Sequence, residues 1–314
     1  MTANVLFAAT KTRWAEYEAP LRRALAAAGV RARLAPETSS EMPPEAVDYI
    51  VYAPSSAVQD FTPFTRLKAV LNLWAGVEHV APNPTLKVPL ARMVDHGLTQ
   101  GMVEWVTGHV LRHHLGMDAQ IRGQDGRWEP VVPPLAQDRP VTVLGLGVLG
   151  RACAEALAGL GFPVTGWARS PRQLPGITCL HGPDGLAQAL GRAQILVLLL
   201  PDTPATRDIL DARTIALLPR GAVVINPGRG TLIDEAALLA ALDAGHLAHA
   251  TLDVFRTEPL PPEHPFWAHP RVTVTPHIAS ETRAETAAQV IAENIRRGEA
   301  GAPFLHLVDR ENGY

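Results

Sequence analysis

The chain has only two cysteines among its 314 residues, Cys153 and Cys179, and they do not form a C-x-x-C pair. Two separate cysteines support neither a disulfide framework nor a cysteine-based zinc site. Basic residues are not in excess either, because 28 Lys and Arg stand against 31 Asp and Glu and give a formal net charge of −3. Since no basic field attracts polyanions, we expect neither nucleic acid nor an anionic membrane as a partner.

Long apolar runs are missing as well. Runs such as Ile195–Leu200 are far shorter than the ~20 residues of a membrane-spanning helix. The N-terminal segment MTANVLFAAT enters a strand pattern at once and lacks the basic and long apolar regions of a signal peptide. We therefore expect a cytoplasmic protein. Apolar residues still make up 47% of the chain, so a sizeable core can form, and the length is comfortable for two domains.

The strongest local pattern present is VTVLGLGVLG, at residues 141–150. A buried strand over Val141–Leu144 is followed by Gly145, Gly147 and Gly150, in the spacing G-x-G-x-x-G, and then by an Ala-rich helix. In a dinucleotide-binding turn these glycines allow a tight turn, close approach of a pyrophosphate, and close packing of helix on strand. The N–H groups that begin the helix then face the phosphates. The alternative is an ordinary turn between a strand and a helix.

Strand and helix signals alternate along the chain, which favours a parallel α/β fold. A long helix over Thr99–Leu115 is interpreted as the crossing between two domains, and a last helix over Arg283–Arg297 as the return to the first. We predict a doubly wound Rossmann domain over residues 99–283 and a substrate-binding domain over residues 1–98, completed by residues 284–314. Further predictions are a helix over 21–29, an irregular segment over 116–140 that lies against a second subunit, and strands at Asn4–Thr10, Tyr49–Ala53, Ala69–Leu73, Arg92–Asp95, Val164–Trp167, Ile195–Leu200, Ala222–Asn226, Thr251–Val254 and Val272–Val274.

The residues after the second strand of the Rossmann domain indicate which cofactor binds. In an NAD site an Asp or Glu about 20 residues past the glycines bonds the ribose 2′-hydroxyl. Here Trp167 ends the strand, and Arg169, Ser170 and Arg172 follow without a carboxylate. Guanidinium groups attract a 2′-phosphate, which an acid would repel. The sequence therefore predicts NADP(H) over NAD(H), unless both arginines are solvated loop residues.

Three charged side chains follow three other predicted strands: Arg229, Glu258 and His277. Ligands bind at the carboxyl ends of strands in open α/β sheets, so these groups could converge on a nicotinamide. The set suits reduction of a 2-keto acid. Arg229 can bind the carboxylate and polarise the carbonyl, and His277 as imidazolium can donate a proton to the alkoxide. Glu258 bonded to the other ring nitrogen would fix the tautomer and favour the charged ring.

Other histidines, among the 12 in the chain, give weaker signals. His109 and His113 are four apart on a predicted helix and could mimic a metal pair. No acidic third ligand follows at a metal-site spacing, so no metal is expected. His246 and His249 are expected in the loop before a strand. Glu263 and His264, in a Pro-rich loop, could be mistaken for the acid–base pair.

The chain resembles the D-isomer-specific 2-hydroxyacid dehydrogenases, and within that family the NADPH-preferring glyoxylate/hydroxypyruvate reductases. The resemblance covers the whole nucleotide-binding region and extends to a substrate loop in the first domain. Its motifs are LNLWAGVEHV (71–80), GLGVLG (145–150), WARSPR (167–172), LLLPDTPATR (198–207), INPGRGTLIDEAAL (225–238), LDVFRTEPL (252–260) and TPHIAS (275–280).

The resemblance implies an enzyme that reduces small 2-keto acids to D-2-hydroxy acids, with Arg229, Glu258 and His277 as catalytic residues. It implies a second, flavodoxin-like α/β domain formed by both termini, and a homodimer held partly by residues 100–135. Ala75 and Gly76 would offer N–H groups to the substrate carboxylate, beside Trp74. The remaining cofactor contacts implied are Val148 and Leu149 under the pyrophosphate, Leu200 and Pro201 beside the adenosine, and Asp253 at the nicotinamide carboxamide.

Two alternatives remain open. One is a nucleotide-sensing binding protein on the same fold, similar to the corepressors related to this family. Arg169 and Arg172, and the lack of extra peptide-binding segments, argue against it. The other is an enzyme of the same fold that oxidises a different acid, such as formate or phosphite. A formate enzyme would be expected to carry a longer N-terminal extension.

Overall fold

The computed structural model describes residues 2–310, which form two compact units, each with its own parallel sheet. One unit contains the residues up to Leu98 and those from Glu281 onward, and the other runs from Thr99 to Ser280. The strands of the described chain are β1 Ala3–Ala8, β2 Ala32–Pro36, β3 Tyr49–Tyr52, β4 Ala69–Asn72, β5 Leu90–Ala91, β6 Val141–Leu144, β7 Val164–Ala168, β8 Thr178–His181, β9 Ile195–Leu198, β10 Ala222–Asn226, β11 Leu247–Leu252 and β12 Val272–Val274. The α-helices are α1 Lys11–Ala27, α2 His96–His114, α3 Met117–Arg122, α4 Val148–Gly159, α5 Gly182–Arg192, α6 Ala212–Ile215, α7 Glu235–Asp243 and α8 Ala284–Glu299.

The unit that contains both chain ends has the strand order β2-β1-β3-β4-β5, with every pair parallel. This is the flavodoxin-like order, which confirms the predicted second domain. α1 and α8 cover one face of the sheet, where Leu21 and Ile291 pack into the same cluster as Val51. The other face is covered by loop residues, including Phe61 and Leu86. Burial on both faces explains why its strands are nearly continuous in apolar residues.

The second unit has the order β12-β11-β10-β9-β6-β7-β8, again entirely parallel. Counted from β6 as the first strand, the order is that of the doubly wound dinucleotide-binding sheet, so the predicted Rossmann fold is confirmed. The chain reverses its direction of winding between β6 and β9, which pair directly. Ligands in such sheets bind beyond the carboxyl ends of these strands.

Some predicted elements differ in position from the observed ones, and some observed elements were not predicted. The strand expected at Arg92–Asp95 is instead β5, Leu90–Ala91, because Arg92 N–H donates to His306 and Met93 N–H to Trp74 outside the sheet. β2 and β8 have no counterpart among the predicted strands. α1 begins at Lys11, well before residue 21, and accommodates Pro20 in its interior, and α3 lies in the segment expected to be irregular.

None of the helices in the described part of the chain combines the length and the apolar character that crossing a membrane requires.

Candidate active site

The glycine turn after β6 has the geometry that close approach to a pyrophosphate requires. Gly145 has φ +104°, and a Cβ there would lie 2.4 Å from the Leu199 carbonyl oxygen. A Cβ on Gly150 would lie 1.8 Å from the Gly145 carbonyl oxygen, so only glycine allows α4 to pack this closely. A Cβ on Gly147 would meet nothing within 4 Å, which leaves the space beside the N-terminus of α4 open to a ligand.

Val148 and Leu149 form the first turn of α4 beside this opening, and neither is buried. The chain after β9 is more enclosed, since Leu200 is buried in the core and the Pro201 carbonyl accepts the Thr206 hydroxyl at 2.6 Å. These residues surround the point at which the winding of the sheet reverses. The turn, the open space and the helix N-terminus fit a dinucleotide.

Trp167, near the end of β7, is a core residue. It is 8% exposed, packs in the main apolar cluster of its unit, and its indole N–H donates to the Gly182 carbonyl at 2.8 Å. Arg169, Ser170 and Arg172 follow the strand and are exposed. Any ribose that lies at the end of β7 therefore faces cationic and hydroxyl groups.

The three charged side chains expected at strand ends lie in segments that follow neighbouring strands. Asn226, Leu252 and Val274 are in register across β10, β11 and β12, so the segments that follow them leave the same edge of the sheet. Arg229 lies in the segment after β10, Glu258 after β11, and His277 after β12. The structure thus brings together charged groups that are far apart in sequence.

Glu258 and His277 form a hydrogen-bonded pair, with 2.7 Å between Oε2 and Nδ1. This hydrogen bond raises the pKa of His277 above its ordinary value, although burial opposes the shift. Burial would raise the pKa of Glu258, but hydrogen bonds from His277 and from the Phe255 N–H outweigh it, and the pKa lies below its ordinary value. The positive charge of Arg229 lowers both pKa values. The pair therefore favours an imidazolium next to a carboxylate.

The Arg229 loop is fixed by the strand end that precedes it. Asn226 Nδ2 donates to the Arg229 carbonyl at 2.9 Å, and Asn226 Oδ1 accepts the Gly228 N–H at 3.1 Å. A Cβ on Gly230 would lie 2.0 Å from the Phe255 carbonyl carbon, so the loop packs directly on the segment that leads to Glu258. Asn226 is a positioning residue that the sequence reasoning missed, although a polar residue ending an apolar strand is a signal for one.

Asp253 organises the turn that carries His277. It is fully buried, and its carboxylate accepts the N–H groups of Ile278 at 2.9 Å and Ala279 at 2.8 Å and the Thr275 hydroxyl at 2.6 Å. The His277 N–H donates to the Asp253 carbonyl at 2.8 Å, and His277 itself adopts the left-handed φ of 54°. The carboxylate expected to meet a nicotinamide carboxamide is thus engaged by the protein's own turn.

The predicted substrate loop lies in the other unit, directly after β4. Trp74 is 42% exposed, and Ala75 and Gly76 are partly exposed. Asn72 at the end of β4 is buried, and its amide Nδ2 donates to the carbonyls of Trp74 and Gly76 at 2.9 Å each. Sequence reasoning did not single out Asn72.

Three other histidines have structural partners. His113 Nε2 lies 2.8 Å from Thr251 Oγ1, and His249 Nε2 lies 2.9 Å from Thr273 Oγ1. The expectation that His249 precedes a strand was wrong, because β11 begins at Leu247. His264 lies 3.5 Å from Glu235, and its Nδ1 accepts the Phe266 N–H. Among residues 2–310 there is no group of three or more His, Cys, Asp or Glu that could hold a metal ion.

The fold and this edge of the sheet define an NAD(P)-dependent dehydrogenase. The family model described as "D-isomer specific 2-hydroxyacid dehydrogenase, NAD binding domain" matches residues 106–279, so the chain belongs to the D-isomer-specific 2-hydroxyacid dehydrogenase family. It is an NAD(P)-dependent enzyme of that family. The family predicted from the sequence motifs is confirmed.

Named relatives and solved structures agree with this assignment. Glyoxylate/hydroxypyruvate reductase A from Yersinia enterocolitica is 43% identical over 257 residues, which cover 79% of this chain and 82% of the relative. The D-isomer specific 2-hydroxyacid dehydrogenase from Xanthobacter autotrophicus Py2, solved with NADPH and MES, matches with a TM-score of 0.93 and 42% identity over all of both chains. The NADPH-dependent glyoxylate/hydroxypyruvate reductase from Sinorhizobium meliloti, solved with NADP and sulfate, gives a TM-score of 0.87 and 37% identity over 99% of this chain and 100% of that one.

Proposed function

We propose that the protein is an NADPH-dependent reductase of small 2-keto acids, such as glyoxylate and hydroxypyruvate, that forms the D-2-hydroxy acid. The observation that carries the proposal is the hydrogen bond between Glu258 and His277, because it raises the pKa of a histidine at the cofactor edge of the sheet. The names of the relatives support this substrate class.

In the proposed reaction, Arg229 binds the carboxylate of the keto acid and polarises its carbonyl through charge-assisted hydrogen bonds. The reduced nicotinamide, when bound, supplies the hydride. His277 donates a proton to the oxygen as it becomes an alkoxide, and Glu258 holds the ring through Nδ1 so that Nε2 is the donor. The positive charges of Arg229 and His277 stabilise the negative charge that develops on the oxygen.

Other residues would hold the cofactor and the substrate. Gly145, Gly147 and Gly150 with the start of α4 would bind the pyrophosphate, and Arg169, Ser170 and Arg172 the 2′-phosphate. The N–H groups of Ala75 and Gly76 would bind the substrate carboxylate beside Trp74. NADP or NADPH in the solved relatives supports this cofactor preference. The other cofactor contacts would come from Val148, Leu149, Trp167, Leu200, Pro201 and Asp253.

We further propose that the protein is a homodimer. Residues 116–135 include a run of large apolar side chains that are exposed within the chain: Trp128 at 95%, Val131 at 74%, Val132 at 87% and Leu135 at 67%. Exposed apolar patches mark interaction sites in soluble proteins. Analytical ultracentrifugation should find a dimer that Val132→Glu weakens, and a monomer at all concentrations would contradict this proposal.

The direct test is a panel of 2-keto acids with NADPH and with NADH, followed by the loss of absorbance of the reduced nicotinamide. We expect turnover with small keto acids and preference for NADPH. His277→Ala should lower kcat by ~10²–10⁴, the range for losing a general acid. A protein that binds NADPH but reduces no keto acid would favour the nucleotide-sensing alternative, and full activity of His277→Ala would remove the proton-donor role.

A further inference from the structure

Asn72 is the last residue of β4, and its side chain holds the loop that follows. The residue is 1% exposed, and Nδ2 donates to two carbonyl oxygens of the loop, those of Trp74 and Gly76. The Met93 N–H also donates to the Trp74 carbonyl, at 3.0 Å. One buried amide therefore fixes the peptide groups on both sides of Ala75 and Gly76.

The direction of these carbonyls determines where the neighbouring N–H groups point. In a trans peptide the N–H points away from the C=O of the same peptide group. The Trp74 carbonyl shares its peptide group with the Ala75 N–H, so drawing that carbonyl towards Asn72 turns the N–H away from it. The Gly76 N–H belongs to the peptide group between the two that are held. Neither N–H donates to another group among residues 2–310.

The protein uses the donor half of the Asn72 amide. Asn72 Oδ1 is buried and has no hydrogen-bond partner in the described part of the chain. An unpaired buried acceptor disfavours the folded state, so the two hydrogen bonds donated by Nδ2 are what favour an amide at this position. An apolar side chain could not hold the two carbonyls.

We infer that Asn72 is a positioning residue for substrate recognition: it aims the N–H groups of Ala75 and Gly76 at the carboxylate of the keto acid. The inference rests on the proposed function, in which this loop binds that carboxylate. A neutral amide suits the role because it donates to carbonyls without placing a negative charge beneath an anion. Two neighbouring N–H groups can both donate to the oxygens of one carboxylate.

The test compares Asn72→Asp and Asn72→Ser with the unmodified enzyme. Asn72→Asp keeps the shape of the side chain, but the ionised carboxyl cannot donate and repels the substrate. We expect the KM for glyoxylate to rise by ~10- to 100-fold, as for misaligned hydrogen bonds to a charged group, with the KM for NADPH within about twofold of the original. The rise should grow with pH as the introduced carboxyl ionises. Asn72→Ser retains one donor and should show a smaller rise in KM.

Asn294 on α8 provides the matched control. It is 2% exposed, lies in the same unit, and hydrogen-bonds to the backbone of Leu305 through both Oδ1 and Nδ2. Asn294→Ser should lower Tm without changing the KM for glyoxylate. A folded Asn72→Asp enzyme with an unchanged KM, or an equal rise of KM in Asn294→Ser, would overturn the inference.

A binding measurement separates this inference from the proposed function. Oxalate carries carboxylates but has no keto group to reduce, so its Kd for the NADP-loaded protein can be measured by calorimetry without turnover. We expect Asn72→Ser to weaken oxalate binding, and equal Kd values for the two proteins would overturn the inference. If the unmodified protein binds oxalate but reduces no keto acid, the proposed reaction is wrong. The role of Asn72 is then decided separately, by whether Asn72→Ser raises the Kd for oxalate.

Discussion

Glu258 holds the imidazole of His277 at 2.7 Å through Oε2. The other carboxylate oxygen accepts the Phe255 N–H at 2.9 Å, so each oxygen has its own partner and the carboxylate cannot turn away from the ring. Because Nδ1 is bonded to the carboxylate, Nε2 is the ring atom left to donate a proton. This one contact thus sets both the tautomer and the pKa of His277.

The first prediction concerns the pH dependence of keto-acid reduction. In the proposed mechanism reduction requires the imidazolium, so kcat/KM should fall as pH rises through the pKa of His277. Glu258→Gln keeps the shape but removes the negative charge that stabilises the imidazolium, so the pKa of His277 should fall. We expect the alkaline limb of the kcat/KM profile to move to lower pH by ~1–3 units. Glu263→Gln changes an exposed carboxyl later in the same segment and should leave the alkaline limb in place. An alkaline limb that does not move in Glu258→Gln would contradict the role of Glu258 in raising the pKa of His277.

The sequence predicted the parts of this site that depend on local pattern. Val141–Gly150 reads as strand, turn and helix by itself, and Arg229 and His277 each follow a strand closely. The hydrogen-bonding role of Asp253 could not be predicted, because the groups that reach its carboxylate belong to the segment after β12 and arrive only when the sheet forms. Asn72 was missed for a similar reason, since its role depends on which way two carbonyls point.

The second prediction concerns cofactor preference. Arg169→Ala combined with Arg172→Ala removes the two exposed guanidinium groups after β7. We expect kcat/KM for NADPH to fall by ~10- to 100-fold, the loss expected for charge-assisted bonds to a phosphate, with little change for NADH. Arg213, with 89% of its side chain exposed, offers a control in Arg213→Ala. Equal losses with both cofactors would show that the two arginines do not bind the 2′-phosphate.

A histidine pair outside the site, His113 and His249, contributes to the response of the protein to acid. Burial, together with the charges of Arg112 and of the neighbouring histidine, lowers the pKa of His113 to about 3. Burial and Arg112 likewise lower the pKa of His249 to about 4, and Asp118 opposes both shifts. The two rings lie 5.0 Å apart, each bonded to a threonine. Both rings are therefore neutral in the folded protein at neutral pH.

The third prediction follows from the sign of these shifts. An unfolded histidine binds a proton near pH 6.5, whereas the folded protein resists protonation down to about pH 4, so the unfolded state binds more protons between these values. The free energy of unfolding should therefore decrease as pH falls from about 6.5 to about 4. His249→Gln should make Tm less dependent on pH in this window, measured by thermal melts against His181→Gln as an exposed control. If Tm changes equally with pH in both variants, His249 does not cause the loss of stability in acid.

The fourth prediction concerns the carboxylate of Asp253. In Asp253→Asn an NH₂ group replaces one of the two carboxylate oxygens. That NH₂ group would face the backbone N–H of Ile278 or of Ala279, so two donors would meet without an acceptor. An unsatisfied buried donor costs ~1–3 kcal/mol, and the turn that carries His277 should shift to relieve it. We therefore expect a lower Tm, and we expect kcat, measured with saturating NADPH, to fall by at least ~10-fold.

Asp234 accepts two backbone N–H groups at the start of α7, so Asp234→Ala removes backbone hydrogen bonds that do not involve the turn that carries His277. That variant should lower Tm while kcat stays unchanged, and an Asp253→Asn enzyme that loses Tm but keeps full kcat would show that Asp253 stabilises the fold without positioning His277.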